Sequence, residues 1–432
     1  MAFERAFPVI ETTRHVLANG LRLVLAVDRT APIIASFVHY HVGSKNERPD
    51  RTGFAHFFEH LMFEGTRNIE RHQIDRIVQS AGGSLNAFTS ADETGYDILL
   101  PSNQLELALW IESERMMHAR VEDIGVETQR SVVKEERRVR YENTPYGSLR
   151  EYLFANAFKG TTYEWTPIGS SQYIDRATTD EFREFYKTYY VPGNAVLSIA
   201  GDIDEAKTID LVESYFGDIP SGAVPSPQPF ALSQAPGEIV VDVIEQHTPA
   251  PSIVVAFRGP ARGSDDLPAL EMLTAILAGG TSSRMHRTLV EESRMSLVVQ
   301  TANSDLELAS LWSFASIATP MGTVEAMLAE VLSHIDAIAT HGPTERERMK
   351  VLNTFEMSLA RCFDDVLDKA TELARYETFH GDPNRINLEF DRYSSVTCED
   401  VRRVADRYFV KDNRIVLAYR KPPDSIGRDV SL

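Results

Sequence analysis

The segment DEFREFYKTYYVPGNAVLSIAG, residues 180–201, has a second copy in EDVRRVADRYFVKDNRIVLAYR, residues 399–420. Each copy has the pattern of an amphipathic helix, a turn and a buried strand. The positions shared at a constant offset of 219 residues include an aromatic pair, a hydrophobic residue and an asparagine: Tyr189, Tyr190, Val191 and Asn194 match Tyr408, Phe409, Val410 and Asn413. Such agreement favours an internal duplication. The sequence therefore predicts two homologous halves.

The two copies lie on either side of GDIPSGAVPSPQPFALSQAPG, residues 217–237, which is rich in Pro, Gly and Ser. This composition, with little periodicity, is typical of a linker. We expect an N-terminal domain at 1–216, a linker at 217–237 and a C-terminal domain at 238–432. The chain length of 432 residues is enough for at least two domains.

Within the first half, the hydrophobic patterns predict strands near 14–27, 32–42, 84–90 and 93–101, and helices near 53–64, 70–81, 102–118 and 122–142. The last two strands have the pattern of a hairpin, and the elements are grouped rather than strictly alternating. We therefore expect the α+β class, with a mainly antiparallel sheet packed with helices in each half.

Composition and charge exclude several classes of protein. A net charge of −19 argues against nucleic acid as a partner. The two cysteines, Cys362 and Cys398, form no CxxC pair, so neither a disulfide framework nor a thiolate zinc site is expected. No stretch has the length of an apolar membrane span, and no secretory signal is visible. We expect a soluble chain, cytoplasmic as given, or periplasmic if a leader has been removed.

GFAHFFEHLMFEGT, residues 53–66, places His56, Glu59 and His60 on a helix that is otherwise almost entirely apolar. A buried carboxylate beside two imidazoles is unfavourable by several kcal/mol unless another charge compensates it, and a divalent cation does so directly. Histidines at i and i+4 can bind one zinc ion from the same helix face. The competing interpretation is a helix whose histidines are satisfied by local hydrogen bonds.

A catalytic zinc ion needs a third protein ligand and an open position. VETQRSVVKEERRVRYENTPYG, residues 126–147, contains several candidate carboxylates. The residues taken to mark its inward face are Val132, Val133 and Val139. On that assumption Glu136 lies near the middle of the inward face, whereas Glu127 points away and Glu135 lies outside its edge. Glu136 is therefore the favoured ligand, and Glu135 is interpreted as solvated.

HFFEH, with the glutamate of VVKEE 76 residues after His60, resembles the inverted zinc motif of the pitrilysin, insulysin and mitochondrial processing peptidase superfamily. The resemblance continues through GGSLNAFTSADETGYDILLP, residues 82–101, and the duplicated halves, so it covers essentially the whole chain. It implies a short, two-domain, bacterial-type fold whose halves face one another across a cavity. It also implies one Zn²⁺ per chain, bound by His56, His60 and Glu136, with Glu59 as the general base.

Residues 84–101 read as an edge hairpin, and similar members of the superfamily bind an extended peptide there as an added strand. Asn86, Ala87 and Phe88 are therefore our candidates for backbone contacts with substrate. The alternative is an ordinary strand that packs Leu85 and Ala87 inward.

The sequence departs from the superfamily pattern in two places. Gln129 stands where many relatives have a glutamate, and it is expected near the metal together with Arg140, one turn beyond Glu136. Active relatives also have an Arg and a Tyr seven residues apart in the second half, which clamp substrate and stabilise the oxyanion. Val290 and Leu297 occupy those two positions here.

The predicted function is that of a zinc metalloendopeptidase that hydrolyses unfolded peptides. Because the Arg/Tyr pair is missing, we expect a catalytic subunit of a heterodimer, in which a homologous M16-type subunit supplies the pair; a homodimer is possible when the chain is alone. The alternatives are a non-catalytic scaffold with the peptidase fold and a peptide-binding subunit of a complex.

Overall fold

A computed structural model describes residues 9–226, 229–232, 237–245 and 248–421. Residues 227–228 and 233–236 of the expected linker lie outside this part of the chain. The first half contains, in order, β1 (Thr13–Val16), β2 (Arg22–Val27), β3 (Ile33–Tyr40), α1 (Phe54–Leu61), α2 (Ile74–Ser80), β4 (Ser84–Thr89), β5 (Thr94–Pro101), α3 (Leu105–His118), α4 (Asp123–Arg137), α5 (Leu149–Ala157), α6 (Ser171–Arg176), α7 (Thr179–Tyr189), β6 (Ala195–Gly201) and α8 (Glu205–Phe216).

The second half continues with β7 (Ile239–Ile244), β8 (Ser252–Gly259), α9 (Leu267–Ala278), β9 (Ser296–Thr301), β10 (Ser304–Asp305), β11 (Ser310–Ala318), α10 (Val324–His341), α11 (Glu345–Asp364), α12 (Val366–His380), α13 (Glu389–Ser394), α14 (Cys398–Tyr408) and β12 (Arg414–Arg420). Short π-helical turns follow α4 at Arg138–Glu142 and precede β9 at His286–Glu292. Among the described helices, none is both long enough and apolar enough to span a lipid bilayer.

Apart from β1, which has no counterpart in the described part of the second sheet, the two sheets have the same strand order. The first is β1-β2-β6-β3-β5-β4, and in the second β7-β12-β8-β11 is extended by β9 and β10, which both pair with β11. Each sheet is antiparallel except for one parallel pair, β2 with β6 and β7 with β12. The predicted α+β class with two homologous, sheet-and-helix halves is confirmed, and the sheets are mixed because one crossover in each half returns in parallel.

The repeated segment forms the same structure twice, as α7 with β6 and α14 with β12. The side-chain amide of Asn194 donates to the carbonyl of Tyr189 over 2.9 Å, and that of Asn413 donates to the carbonyl of Tyr408 over 2.8 Å. Both asparagines thus satisfy a carbonyl at the end of the helix, which otherwise has no partner inside the helix. This explains why the asparagine is present in both copies.

The segment predicted as one strand near 14–27 forms two strands, so that prediction was wrong. The chain reverses between β1 and β2 at Gly20, which has a φ of 91°, and the N–H of Leu17 bonds to the carbonyl of Leu21 over 2.9 Å. Glycine adopts this left-handed conformation without steric cost, and the two strands then pair as a hairpin.

Two compact units are present, and each takes a segment from the opposite half of the sequence. One contains the chain up to Glu135 with Trp165–Pro229 and Glu356–Phe390, and the other contains Glu136–Glu164, Phe230–Phe355 and the chain from Asp391 onward. In the first unit α12 packs on β2, β3 and β6; in the second α5 packs on β8 and β12. The domain boundaries expected at 216 and 238 stay a prediction.

Two ion pairs fix α12 to the first sheet. The carboxylate of Glu377 is fully buried and accepts hydrogen bonds from Nε and Nη2 of Arg14 over 2.9 and 2.8 Å. Lys369 donates to the carboxylate of Asp28. Burial alone would raise the pKa of Asp28, but hydrogen bonds from Lys369 and Thr30 lower that pKa to about 2. The first sheet, on which the metal-motif helix α1 packs, is therefore held by a helix from the second half of the sequence.

Candidate metal centre

The metal-motif helix α1 begins at a tight, buried turn. Gly53 has a φ of 98°, and a β-carbon there would lie 3.0 Å from the carbonyl oxygen of Ile168. The buried carboxylate of Glu47 accepts the N–H groups of Gly53 and Ala55 over 2.9 and 2.7 Å. Burial raises the pKa of Glu47 to about 8. These bonds hold the first turn of α1, just before His56.

Aromatic side chains hold α1 against α7. The rings of Phe54 and Phe57 stack on Phe182 with centroid distances of 4.6 and 4.5 Å, and Phe58 stacks on Tyr186 at 5.5 Å. The three phenylalanines of α1 are buried. Because close-packed aromatic rings have few alternative rotamers, the opposite face of the helix, with its two histidines, has a fixed direction.

The structure brings His56, His60 and Glu136 together. One potential ligand atom from each of the three residues lies within 4.8 Å of the other two. The two imidazole rings of α1 have centroids 4.8 Å apart and meet edge to face. Ligand atoms around a tetrahedral zinc ion are roughly 3.4 Å apart, given bonds of about 2.1 Å. Two imidazoles and one carboxylate form a donor set of catalytic zinc sites, so these residues fit zinc with a small inward adjustment.

A chain of hydrogen bonds determines which nitrogen of His60 can bind a metal. Gln129 Nε2 donates to the carboxylate of Glu64 over 2.6 Å, so Gln129 Oε1 is an acceptor and lies 3.2 Å from His60 Nδ1. His60 Nδ1 must therefore carry the proton, which leaves the lone pair on Nε2. Arg71 donates to Glu64 and completes the chain. Gln129 thus lies beside His60, and its role near a metal stays a prediction.

Replacing Gln129 by leucine should lower zinc affinity by about tenfold, because groups that orient a metal-binding histidine typically contribute 10- to 100-fold. Leucine keeps the volume but can neither accept from His60 Nδ1 nor donate to Glu64. The measurement is competition for zinc with a chromophoric chelator. Ser131→Ala, an exposed change on the same helix, is the matched control and should leave the affinity unchanged. Equal affinities for Gln129→Leu and wild type would contradict the assigned tautomer.

Glu136 lies in the last turn of α4, and 16% of its side chain is exposed. Arg140 Nη1 lies 2.7 Å from Glu136 Oε1, and its expected role near a metal stays a prediction. Glu135 is exposed, as the sequence predicts.

The inward face of α4 differs from the sequence prediction. Val133 is buried, but Val132 and Val139 are 45% and 50% exposed, so the use of all three to mark that face was wrong. The buried valines are Val126 and Val133, two turns apart. The backbone changes to a π-helical turn after Arg137, so a constant helical period cannot be extended to residue 139.

Glu59 lies between the two histidines in the sequence and accepts a hydrogen bond from a residue of β4. Thr89 Oγ1, at the end of that strand, donates to Glu59 Oε2 over 2.5 Å. This bond fixes the carboxylate beside the face of α1 that bears the two histidines. The sequence pattern did not predict a role for Thr89, because the threonine and the glutamate are 30 residues apart and meet only when β4 packs on α1.

The candidate substrate residues Asn86, Ala87 and Phe88 lie on β4, the last strand of the first sheet. β4 pairs with β5, and no other strand among the described residues pairs with it. Asn86 is exposed and Ala87 is half-buried. Phe88 packs on Phe37 with ring centroids 6.2 Å apart. Substrate contact by these three residues stays a prediction.

In the second unit, hydrophobic residues occupy both positions at which the sequence lacks the Arg/Tyr pair. Val290 lies in the π-helical turn, and Leu297 lies on β9 with 63% of its surface exposed. Two of the neighbouring arginines are paired within this unit: Arg284 Nε is 2.7 Å from Glu347 Oε1, and Arg287 Nη2 is 3.8 Å from Glu292 Oε1. The third, Arg294, is exposed.

Comparison with known sequences extends across both halves. The Insulinase (Peptidase family M16) profile matches residues 22–169, and the Peptidase M16 inactive domain profile matches residues 176–355. The zinc protease PqqE of Helicobacter pylori is 29% identical over 94% of this chain and 92% of that protein. Subunit 1 of the human mitochondrial cytochrome b-c1 complex is 30% identical over 62% of this chain and 56% of that protein.

Solved structures show the same fold. A protease from Helicobacter pylori has a TM-score of 0.91 and 27% identity, covering 95% of this chain and all of that one. A Pseudomonas fluorescens protein described as a peptidase M16 inactive domain has a TM-score of 0.86 at 15% identity, covering 96% and 98% of the two chains. Both sequence profiles, the zinc protease relatives and the fold lead to one conclusion: the chain belongs to peptidase family M16, the insulinase or pitrilysin-like family.

Proposed function

We propose that this protein is a zinc-dependent endopeptidase that hydrolyses unfolded peptides, and that it is the zinc-bearing subunit of a heterodimer. The observation that supports the first part is the grouping of His56, His60 and Glu136 within 4.8 Å, with Glu59 on the same helix as both histidines. A bound zinc ion polarises the scissile carbonyl and lowers the pKa of a water molecule.

The side chains have distinct roles in this proposal. His56, His60 and Glu136 hold the ion, and Gln129 keeps His60 in the tautomer that can bind it. Glu59 accepts a proton from the attacking water and transfers it to the leaving nitrogen. Its hydrogen bond from Thr89 fixes the carboxylate for both transfers. Peptide hydrolysis then needs no covalent bond between protein and substrate.

The proposed substrate is an extended peptide that adds to the edge of the first sheet at β4. Backbone hydrogen bonds to Asn86, Ala87 and Phe88 would hold it irrespective of sequence, and side-chain pockets would set preference. The hydrogen bond from Thr89, at the end of β4, to Glu59 places that edge beside the proposed base. An unfolded segment fits such an edge because its own backbone groups are available for pairing.

The proposed partner is a homologous subunit with an Arg/Tyr pair and without the HxxEH motif. This part is supported by Val290 and Leu297, which cannot donate hydrogen bonds to an oxyanion, and by the pairing of Arg284 with Glu347. Loss of one oxyanion donor typically lowers kcat by about 10²- to 10³-fold. The similarity to a subunit of the cytochrome b-c1 complex is compatible with assembly into a larger complex.

The test of this proposal measures cleavage of a fluorogenic unfolded peptide by the purified chain loaded with one zinc ion. We expect rates about 10²-fold below those of the mixture with a homologous subunit carrying Arg and Tyr at the positions of Val290 and Leu297. The same partner with that Arg and Tyr replaced by Val and Leu is the control, and it should not restore cleavage. Full activity of the isolated chain would refute the requirement for a partner.

A non-catalytic scaffold remains the second candidate, because the profile that matches residues 176–355 describes an inactive domain. The retained set of His56, Glu59, His60 and Glu136 favours the peptidase. A scaffold would show no turnover with any partner, even at one zinc ion per chain.

A further inference from the structure

An open cleft of about 690 Å³ in the first compact unit is lined mainly by basic side chains. They come from three segments of the chain and comprise Arg67, His118, Arg120, Arg183 and Lys187. Among the described residues that line the cleft, Glu122 is the one carboxylate. This is opposite to the composition of the protein, which has 63 acidic and 44 basic residues. The cleft is therefore a local concentration of positive charge in an acidic molecule.

Most of this positive charge is not neutralised inside the protein. Arg183 pairs with Asp180, whose carboxylate is 2.7 Å from Nη1. In the described part of the chain, Arg67, Arg120 and Lys187 form no ion pair. The hydrogen bond from Arg120 to the carbonyl of Arg67 neutralises neither charge. Many other arginines of the protein are paired with a carboxylate. Three unneutralised cations around one cleft repel each other, so an anion between them is favourable.

The backbone of the cleft is held in place before any ligand binds. Thr66 and Ala119 form an antiparallel bridge, and the N–H of Arg67 donates to the carbonyl of His118 over 3.0 Å. On α7, Arg183 Nε donates to the carbonyl of Val121 over 3.0 Å. Tyr186, also on α7, donates to the last turns of α3 through its hydroxyl group. These hydrogen bonds connect the three segments that carry the basic side chains. Less backbone entropy is therefore lost when a ligand binds.

We propose that this cleft binds a compact multivalent anion of the phosphate type, with Arg67, Arg120 and Lys187 as its main contacts. Guanidinium groups bind phosphate oxygens through two parallel N–H donors, and an ammonium group adds a point charge. Several negative charges on the ligand match the three cations of the cleft. These short-range bonds must outweigh the long-range repulsion between an anion and the net charge of −19.

The test is calorimetric titration of pyrophosphate into the full-length protein at low ionic strength. We expect saturable binding to one site in the wild type. The double variant Arg67→Gln/Lys187→Gln should bind at least about tenfold more weakly, because two charge-assisted contacts are lost. Both side chains are exposed, so folding should be retained, and this is checked by circular dichroism.

The matched control is Arg76→Gln/Arg176→Gln, which removes the same charge from exposed positions of the same unit outside the cleft. Its affinity should fall by clearly less than the tenfold expected for the cleft variant, because it loses only long-range attraction to pyrophosphate and no direct contact. The proposal is overturned by absent binding in wild type, by equal losses in the two double variants, or by unchanged affinity in the cleft variant, which would place pyrophosphate elsewhere. Tighter binding of hexaglutamate than of pyrophosphate would also overturn it, in favour of an acidic peptide.

Discussion

Glu59→Gln is expected to lower kcat for peptide hydrolysis by roughly 10³-fold while zinc stays at one ion per chain, since general acid–base groups typically contribute 10²- to 10⁴-fold. The amide has the shape of the carboxylate but cannot accept the water's proton. Thr89 Oγ1 can still donate to the amide oxygen, so the local structure should persist. The measurements are turnover of an unfolded peptide, with the partner subunit present, and zinc content by mass spectrometry.

Glu70→Gln is the control for this prediction, because Glu70 is an exposed carboxylate on the loop after α1. It should leave both turnover and zinc unchanged. Loss of zinc from Glu59→Gln would show that Glu59 is a ligand rather than the base. A peptide-binding module would give a different result, in which peptide affinity survives the substitution and the wild type shows no turnover.

The parts of the site that could be predicted from the sequence are set by local geometry. The spacing of His56 and His60 puts both rings on one face of any regular helix, and the repeated Asn194 and Asn413 reveal the duplication without knowledge of contacts. The histidine spacing depends on a single helical turn, and the repeated asparagine depends on a single helix–strand unit. For the same reason the order of helices and strands around them was predictable.

The supporting contacts could not be predicted, because they join residues that meet only after folding. Glu64 and Thr89 act on His60 and Glu59 through packing of α4 and β4 against α1. The attachment of α12 to the first sheet joins Arg14 to Glu377, 363 residues apart. Periodicity also failed at Val139, since the backbone leaves the α-helix after Arg137.

Each compact unit contains a segment from the opposite half of the sequence. The segment after Glu135 belongs to the second unit, and the helix α12 belongs to the first, so neither half of the sequence contains all the elements of one unit. A truncation at the predicted linker would remove α12 from the first sheet. Arg14 would lose Glu377, and Asp28 would lose Lys369. Experiments on the metal centre therefore require the full chain.

Glu136→Gln is expected to weaken zinc binding by more than about 100-fold, because changes to residues that only support a ligand already cost 10- to 100-fold. An amide oxygen carries no full negative charge, so His56 and His60 alone would have to hold the ion. The fold should survive, since Arg140, which loses its ion-pair partner, is 72% exposed and remains solvated. Chelator competition measures the affinity, and peptide turnover should fall with zinc occupancy.

Glu135→Gln and Glu127→Gln are the controls that decide which carboxylate of α4 binds the ion, because both are exposed on the same helix. Each removes one negative charge, as Glu136→Gln does, so a general electrostatic effect on zinc would appear in all three variants. A ligand effect would appear in Glu136→Gln alone. If Glu135→Gln lost zinc and Glu136→Gln retained it, the third ligand would be Glu135, and the proximity of Glu136 to the two histidines would then reflect only its ion pair with Arg140.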